Sequence, residues 1–269
     1  MLGTLLKQGW LALTGNARKD DPGSHAAARD GGLVTTEAVR AALHGMLRQP
    51  LAHPANVDYE MVARLKAASD SADYLVEHMM VARNLVERAA LLDFAIGECS
   101  LMDGLVMEFG VFRGESLRFI AKRVAQSVHG FDSFEGLPED WTYYQKQGRF
   151  ALDGKIPEFR EANICVYKGW FEKTLPTFLA AHPGPARFIH IDCDIYSSTR
   201  TVLNLLAPRL VSGSVLVFDE YLNYPSWREH EFKAFQEFVA SRQLQYRYIG
   251  FASSHLRISR NVTGGFARA

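Results

Sequence analysis

The chain has 269 residues, 48% of them hydrophobic, with thirty acidic and thirty basic side chains. That length supports one large α/β domain with an appendage, or two small domains. The charge balance implies no polyanion partner, and no basic stripe suggests nucleic acid.

Residues 1–14 carry Leu2, Leu5, Leu6, Trp10, Leu11 and Leu13. They lack a basic n-region and a small-residue cleavage site, so they are not read as a signal peptide. They are too short to span a bilayer. The expected structure is an amphipathic helix docked on the body or on a second subunit. That predicts a homo-oligomer, with surface membrane contact as the lesser alternative. Residues 16–32 are polar and read as a linker. From Thr35 or Thr36 a capped helix runs along Val39, Ala42, Leu43 and Met46, until Pro50 and Pro54 interrupt. Asp58–Ala67 reads as a short helix. Ser69–Ile96 reads as one long periodic segment, in which Met79 and its neighbours His78 and Met80 pack on the sheet or line a cleft. Residues 1–72 are taken as an N-terminal extension and helices, and 73–269 as the main domain.

From there strand and helix patterns alternate. Strands are expected at Leu105–Phe109, Ser127–Phe131, Asn163–Tyr167, Arg187–Asp192 and Ser214–Phe218. Helices are expected at Glu115–Ala125, Phe171–His182, Thr199–Leu210 and Trp227–Ser241. Such alternation predicts a mostly parallel, doubly wound α/β sheet. Tyr246–Phe251 and Leu256–Ser259 follow as a C-terminal antiparallel hairpin, placed at an edge. The insertion from Gly136 to Ala162 breaks the rhythm. It carries Trp141, Tyr143, Tyr144, Phe150 and Phe159, and reads as a lid. Cys99, Cys165 and Cys193 are widely spaced without a C-x-x-C pair, and read as reduced thiols of a cytoplasmic protein.

The chemistry-bearing stretch is Val106-Met-Glu-Phe-Gly-Val-Phe-Arg-Gly-Glu-Ser116. A buried strand turns on Gly110 and Gly114 into a helix, and Asp132 follows at the end of the next strand. Strand, glycine turn, helix N-terminus and acid form a nucleotide cradle. The glycines are spaced unlike the G-x-G-x-x-G of dinucleotide dehydrogenases. Glu108 before the turn suits an ammonium group, Ser116 and the turn amides a carboxylate, and Asp132 a ribose. S-adenosylmethionine (SAM) has all three; a plain strand–helix turn is the bland alternative. Asp192, Asp194, Asp219 and Glu220 converge at the strand ends. Four carboxylates there repel unless a cation sits among them, and an all-oxygen set suits Mg²⁺. Strand-end acids are also often merely solvated, and Asp194 is placed to cap the next helix. Gly169 and Trp170 wall an adenine ring, or Trp170 anchors its helix. His190 reads as a satisfied core histidine before it reads as a catalyst.

Five motifs in order carry a resemblance: Glu108-Phe-Gly-Val-Phe-Arg-Gly-Glu-Ser116, Phe131-Asp-Ser-Phe-Glu-Gly-Leu-Pro138, Lys168-Gly-Trp-Phe-Glu-Lys-Thr-Leu-Pro176, Ile191-Asp-Cys-Asp-Ile-Tyr-Ser-Ser-Thr199 and Phe218-Asp-Glu-Tyr221. Over about residues 75–260 the chain resembles the macrocin O-methyltransferase family, SAM-dependent enzymes with a Rossmann-like sheet that methylate sugar hydroxyls of antibiotics. The first motif also looks like that of catechol O-methyltransferase. The resemblance implies that Glu108, Gly110 and Ser116 hold the methionine end of SAM, Asp132 the ribose, and Gly169 and Trp170 the adenine side. Gly114, Ser133 and Asp192 complete the cofactor set. It implies Mg²⁺ on Asp192, Asp219 and Glu220, Asp194 as general base, and a small-molecule hydroxyl as acceptor. The family tends to carry Asp-Asp where this chain has Asp219-Glu220. Residues 223–233 also look unlike the antibiotic enzymes, which leaves the acceptor open. The rival readings are a nicotinamide-linked dehydrogenase and a non-catalytic SAM-binding protein.

Overall fold

The computed structural model describes residue 41, residues 59–252 and the backbone of residues 258–265. The expectations for residues 1–58 lie outside the described residues, apart from Ala41, which is helical, and the segment from Tyr59 onward. The elements run α1 (Tyr59–His78), β1 (Arg83–Leu85), α2 (Arg88–Gly97), β2 (Leu105–Phe109), α3 (Glu115–Ala121), β3 (Val128–Asp132), β4 (Ile164–Lys168) and α4 (Phe171–Ala181). They continue with β5 (Ala186–Ile191), α5 (Tyr196–Leu206), β6 (Val215–Leu222), α6 (Glu231–Ser241), β7 (Gln245–Ala252) and β8 (Ile258–Gly265). Short 3-10 turns at Ala207–Arg209 and Trp227–Glu229 follow α5 and precede α6.

Eight strands form one sheet in the order β1-β7-β8-β6-β5-β2-β3-β4. All neighbours pair parallel except at β8, which is antiparallel to both β6 and β7. The chain order reverses between β2 and β5, and ligands of open α/β sheets bind beyond the strand ends at such a reversal. The expected hairpin is present, but it is not an edge: β8 lies inside the sheet and β1 covers the outer side of β7. Strand β1 breaks the periodic segment expected over Ser69–Ile96. A continuous helix would leave the backbone of β7 unpaired, and three extended residues satisfy it.

Strand periodicity divides the core in two. Leu105, Met107, Phe109, Ile189, Ile191, Leu216 and Phe218 join a cluster with residues of α1, α4, α5 and α6. Val106, Val128, Phe188, Val215 and Val217 join residues of α2 and α3 on the other face. Successive side chains of a strand point to opposite faces, so each apolar run serves both layers. Met79 is buried in the first cluster, whereas Met80 is exposed. Glu108 and His190 are in register on adjacent strands, one step past Met107 and Ile189, on the face that α2 covers. This alternation decides which helix supplies their partners.

Candidate active site

The turn after β2 is built by main-chain hydrogen bonds. The N–H of Gly110 donates to the carbonyl of Phe131 at 3.0 Å. The N–H groups of Val111 and Phe112 donate to Oδ2 of Asp132 at 2.8 and 2.7 Å, and that of Phe134 donates to Oδ1 at 2.7 Å. Asp132 thus braces the turn from the next strand. Gly110 has φ +91°, and a Cβ there would collide with the carbonyl oxygen of Asp192. The missing side chain at Gly110 therefore lets the chain just after β5 approach the turn closely. Gly114, at φ +76°, caps α3, and a Cβ there would meet the ring of Phe159.

Above this turn lies a cavity of about 690 Å³, within the usual range for small-ligand sites. Of the nine expected cofactor residues, eight line it: Gly110, Gly114, Ser116, Asp132, Ser133, Gly169, Trp170 and Asp192. So do Asp194, Asp219 and Glu220. Glu108 does not. It is fully buried behind the wall, with Oε2 2.9 Å from Nδ1 of His190. Trp170 is half-buried at the start of α4, on the cavity side rather than in the core. Cys193 and Asp194 lie just beyond β5, with Asp194 in the left-handed region at φ +64°. The N-cap position of α5 is Ile195, whose side chain makes no capping bond.

Sequence reading missed Arg88. It is the first residue of α2, and its guanidinium spans the strand-end acids. Nη2 lies 2.7 Å from Oδ2 of Asp192, and Nε lies 2.6 Å from Oδ1 of Asp219. Burial pulls the guanidinium pKa down, but Asp192, Asp219 and Glu108 outweigh that and hold it above its ordinary value. His190 completes the group, fully buried, with Nε2 3.9 Å from Oδ1 of Asp219. Burial opposes its charge, yet Asp219 and Glu108 raise its pKa to about 9. Asp192 is pushed up to about 6, first by burial and then by Asp219, against Arg88 and His190. Its side chain is 25% exposed toward the cavity, which relieves part of the burial effect. Among the described residues, the side chains whose ligand atoms converge as a metal site would need are His190, Asp192 and Asp219, within 4.8 Å of one another. Glu220 is not in that group.

Glu231, the first residue of α6, was missed too. It is fully buried, although it sits in the first turn of a helix next to the surface residue Glu229. Its Oε1 accepts from the N–H groups of Cys193 at 3.3 Å and Asp194 at 3.1 Å. Its Oε2 accepts from the N–H of Glu220 at 3.2 Å. One carboxylate therefore ties the end of β5 to the end of β6. Burial, with Asp194 and Asp192 nearby, pushes its pKa well up.

The insertion from Gly136 to Ala162 contains no helix or strand. At its base Leu137 and Arg149 share a backbone bond of 2.9 Å, and Leu137 accepts another from Gly148 at 2.9 Å. Trp141 packs edge-on to Tyr224, and the Tyr144 hydroxyl meets Arg64 of α1 at 3.1 Å. Phe150 packs edge-on to Phe112 of the glycine turn. Leu137, Trp141, Tyr144 and Phe150 line the cavity.

Residues 107–221 match a family model described as a methyltransferase domain. Over 174 residues it is 30% identical to the 8-demethyl-8-(2,3-dimethoxy-alpha-L-rhamnosyl)-tetracenomycin-C 4'-O-methyltransferase of Streptomyces olivaceus. That match covers 54% of this chain and 63% of the relative, so the chain spans a little under two thirds of the relative's length. Among solved structures, CalS11, a calicheamicin methyltransferase, is similar with a TM-score of 0.52 and 20% identity, over 90% of this chain and 98% of its own. NovP, an O-methyltransferase, is similar with a TM-score of 0.52 and 20% identity, over 66% and 80% of the two chains. These two likenesses show a shared Rossmann-like fold. The resemblance read from the five motifs agrees with the family model and with the Streptomyces relative, to which this chain is similar. Among the described residues, no helix is long and apolar enough to cross a membrane.

Proposed function

We propose that this chain transfers the methyl group of SAM to a hydroxyl of a small molecule, a sugar or a glycosylated natural product. The observation that carries the reading is one cavity that joins the Gly110 turn, the Asp132 brace and the strand-end acid Asp194. SAM, when bound, supplies a sulfonium methyl that needs only an aligned nucleophile. Beside the Gly110 turn, Ser116 and the start of α3 hold its amino-acid end, where the unpaired N–H donors of a helix start and partial positive charge suit a carboxylate. Asp132 has three backbone N–H groups on its two oxygens and retains acceptor capacity for a ribose hydroxyl. Gly169 and Trp170 wall the adenine side. Glu108, sealed behind the wall, acts on the ligand only through His190 and the charge cluster. Asp194 takes the proton of the acceptor hydroxyl as the oxygen is methylated. The insertion covers the cavity and excludes water.

A divalent ion on Asp192, Asp219 and Glu220 does not fit the side chains present. Arg88 already spans the first two carboxylates, and Glu220 does not converge with them. Cys99, Cys165 and Cys193 are all free thiols, which supports a reducing, cytoplasmic setting. We assign a homo-oligomeric state to the apolar residues Leu2, Leu5, Leu6 and Trp10, which lie outside the described residues. A monomer by light scattering would remove that assignment.

Calorimetry with S-adenosylhomocysteine tests the main reading. We expect binding by the wild type and weaker binding by Asp132→Ala, with no heat from NAD. Binding of NAD in place of the SAM product would move the chain to the dehydrogenase reading.

A further inference from the structure

We propose that Arg88 is the resident cation of the strand-end carboxylates, and that this site works without a divalent metal. The proposal rests on the methyltransferase reading above for what the site does, but its geometry stands apart from that reading. Both Asp192 and Asp219 lie within 2.7 Å of guanidinium nitrogens. Nη2 donates a charge-assisted hydrogen bond to Asp192, whereas the contact of Nε with Asp219 is an ion pair without hydrogen-bond geometry. A Mg²⁺ ion needs carboxylate oxygens at about 2.0–2.1 Å with water completing an octahedron. The guanidinium fills the space such an ion would use.

Arg88 is not a side chain that has wandered in. Its backbone follows β1, which pairs in register with β7, and it opens α2, which packs on the sheet face bearing Glu108 and His190. The fold therefore sets where its side chain starts. The N-terminus of α2 adds partial positive charge on the same side. Asp219 is 2% exposed and Arg88 28% exposed, so the pair is shielded from solvent far more than a surface bridge. His190 sits on the inner side of Asp219 and pairs with Glu108. The inner carboxylates thus have nitrogen partners of this chain.

Two roles follow for Arg88. It holds Asp192 and Asp219 in position at the cavity wall. Its Nη1 has no hydrogen-bond partner among the described residues, and Arg88 lines the cavity, so Nη1 is available to an acceptor oxygen as negative charge develops there. It is a positioning residue for the two acids and the candidate electrostatic partner of the acceptor.

The test uses Mn²⁺ as a paramagnetic probe, read by the loss of the free-ion signal on the full-length protein. The wild type should leave the signal unchanged at Mn²⁺ concentrations up to about 100 µM. Its S-adenosylhomocysteine affinity should be unaltered by chelator. Arg88→Met removes the charge and frees His190, Asp192 and Asp219, whose ligand atoms lie within 4.8 Å. That variant should bind Mn²⁺ at least about tenfold more tightly than the wild type. Arg88→Lys keeps a cation and should remain as the wild type, which a merely structural role would not predict. Mn²⁺ binding by the wild type that Asp192→Asn abolishes would overturn the proposal. So would an Arg88→Met protein, folded by circular dichroism, that gains no affinity. The wild-type arm decides even where Arg88→Met fails to fold. Failure to bind S-adenosylhomocysteine would instead strike the function proposed above, and leaves the metal result readable.

Discussion

Removing the proton from His190 should cost the fold a measurable part of its stability. The imidazole is fully buried, 2.9 Å from Glu108 and 3.9 Å from Asp219. Burial alone would lower its pKa, but the two carboxylates raise it to about 9, from an ordinary value of 6.5. A proton held more tightly in the folded state stabilises the fold in full below the unfolded value. That contribution is lost as pH rises from there through the folded value. The gap of about 2.5 units corresponds to about 3 kcal/mol. His190→Gln removes the titrating group and keeps an N–H donor for Glu108. Urea unfolding of both proteins from about pH 6 to about pH 10 should show their stability difference shrinking by about 3 kcal/mol. Taking the difference cancels the lysines and cysteines that titrate in both. A difference that stays flat with pH would mean that the imidazole is neutral throughout, and the charge cluster as drawn here would be wrong.

Gly110→Ala should destabilise the ligand-free protein, since φ +91° costs an alanine about 1–3 kcal/mol before its Cβ meets Asp192; a variant of wild-type stability that loses only cofactor binding would show that this glycine serves the ligand and not the backbone. Glu231→Ala should leave the N–H groups of Cys193, Asp194 and Glu220 without their acceptor, at about 1–3 kcal/mol for each that water cannot reach. Thermal unfolding reads that loss, and an unchanged midpoint would show that the carboxylate bonds are not formed. In the Gly136 insertion, hydrogen exchange should be slow at Gly148 and Arg149 and fast at Tyr143, Tyr144 and Lys146, then slow at the tip once acceptor is bound. Protection of the tip in the empty protein would make the segment a fixed wall instead of a gate.

Much of the fold was legible because its signals are local. Leu105–Phe109 is a strand with the expected bounds, and β3 and β4 are displaced by one residue. Buried parallel strands read as continuous apolar runs, and glycine turns punctuate them. The cavity-lining residues were legible for the same reason, since they follow strand ends. Arg88 was not. It lies in Val86-Glu87-Arg88, inside a stretch without Gly or Pro whose helical periodicity runs across the break at β1. Only the pairing of β1 with β7, a contact across more than 160 positions, decides that a new helix begins there. Glu231 was hidden in a different way. It looks like an ordinary acid in the first turn of Trp227–Ser241. The chain between β6 and α6 bends at Asn223 and Ser226, both with positive φ, and so carries the acid back under the strand ends. Pro225-Ser226 was the visible sign of a bend there, but not of its direction.

The convergence of Asp192, Asp194, Asp219 and Glu220 required compensation, and sequence alone could not say of what kind. At an effective dielectric of about 20, two like charges 4 Å apart cost about 4 kcal/mol. A divalent ion, a side-chain cation and main-chain donors can each meet such a cost. The fold uses the second and third together. Arg88 and His190 face Asp192, Asp219 and Glu108 from the α2 side. From the α6 side Glu231 adds a further acid, accommodated by backbone N–H groups at the ends of β5 and β6. Those bonds aim the same strand ends at the cavity. The arrangement confines the compensated acids to the wall and sets Asp194 on the turn beside it, lining the space where an acceptor would lie. Protein groups fixed before the ligand arrives need no reorganisation during transfer, and preorganised electrostatics of that kind is what methyl transfer from a sulfonium asks of its enzyme.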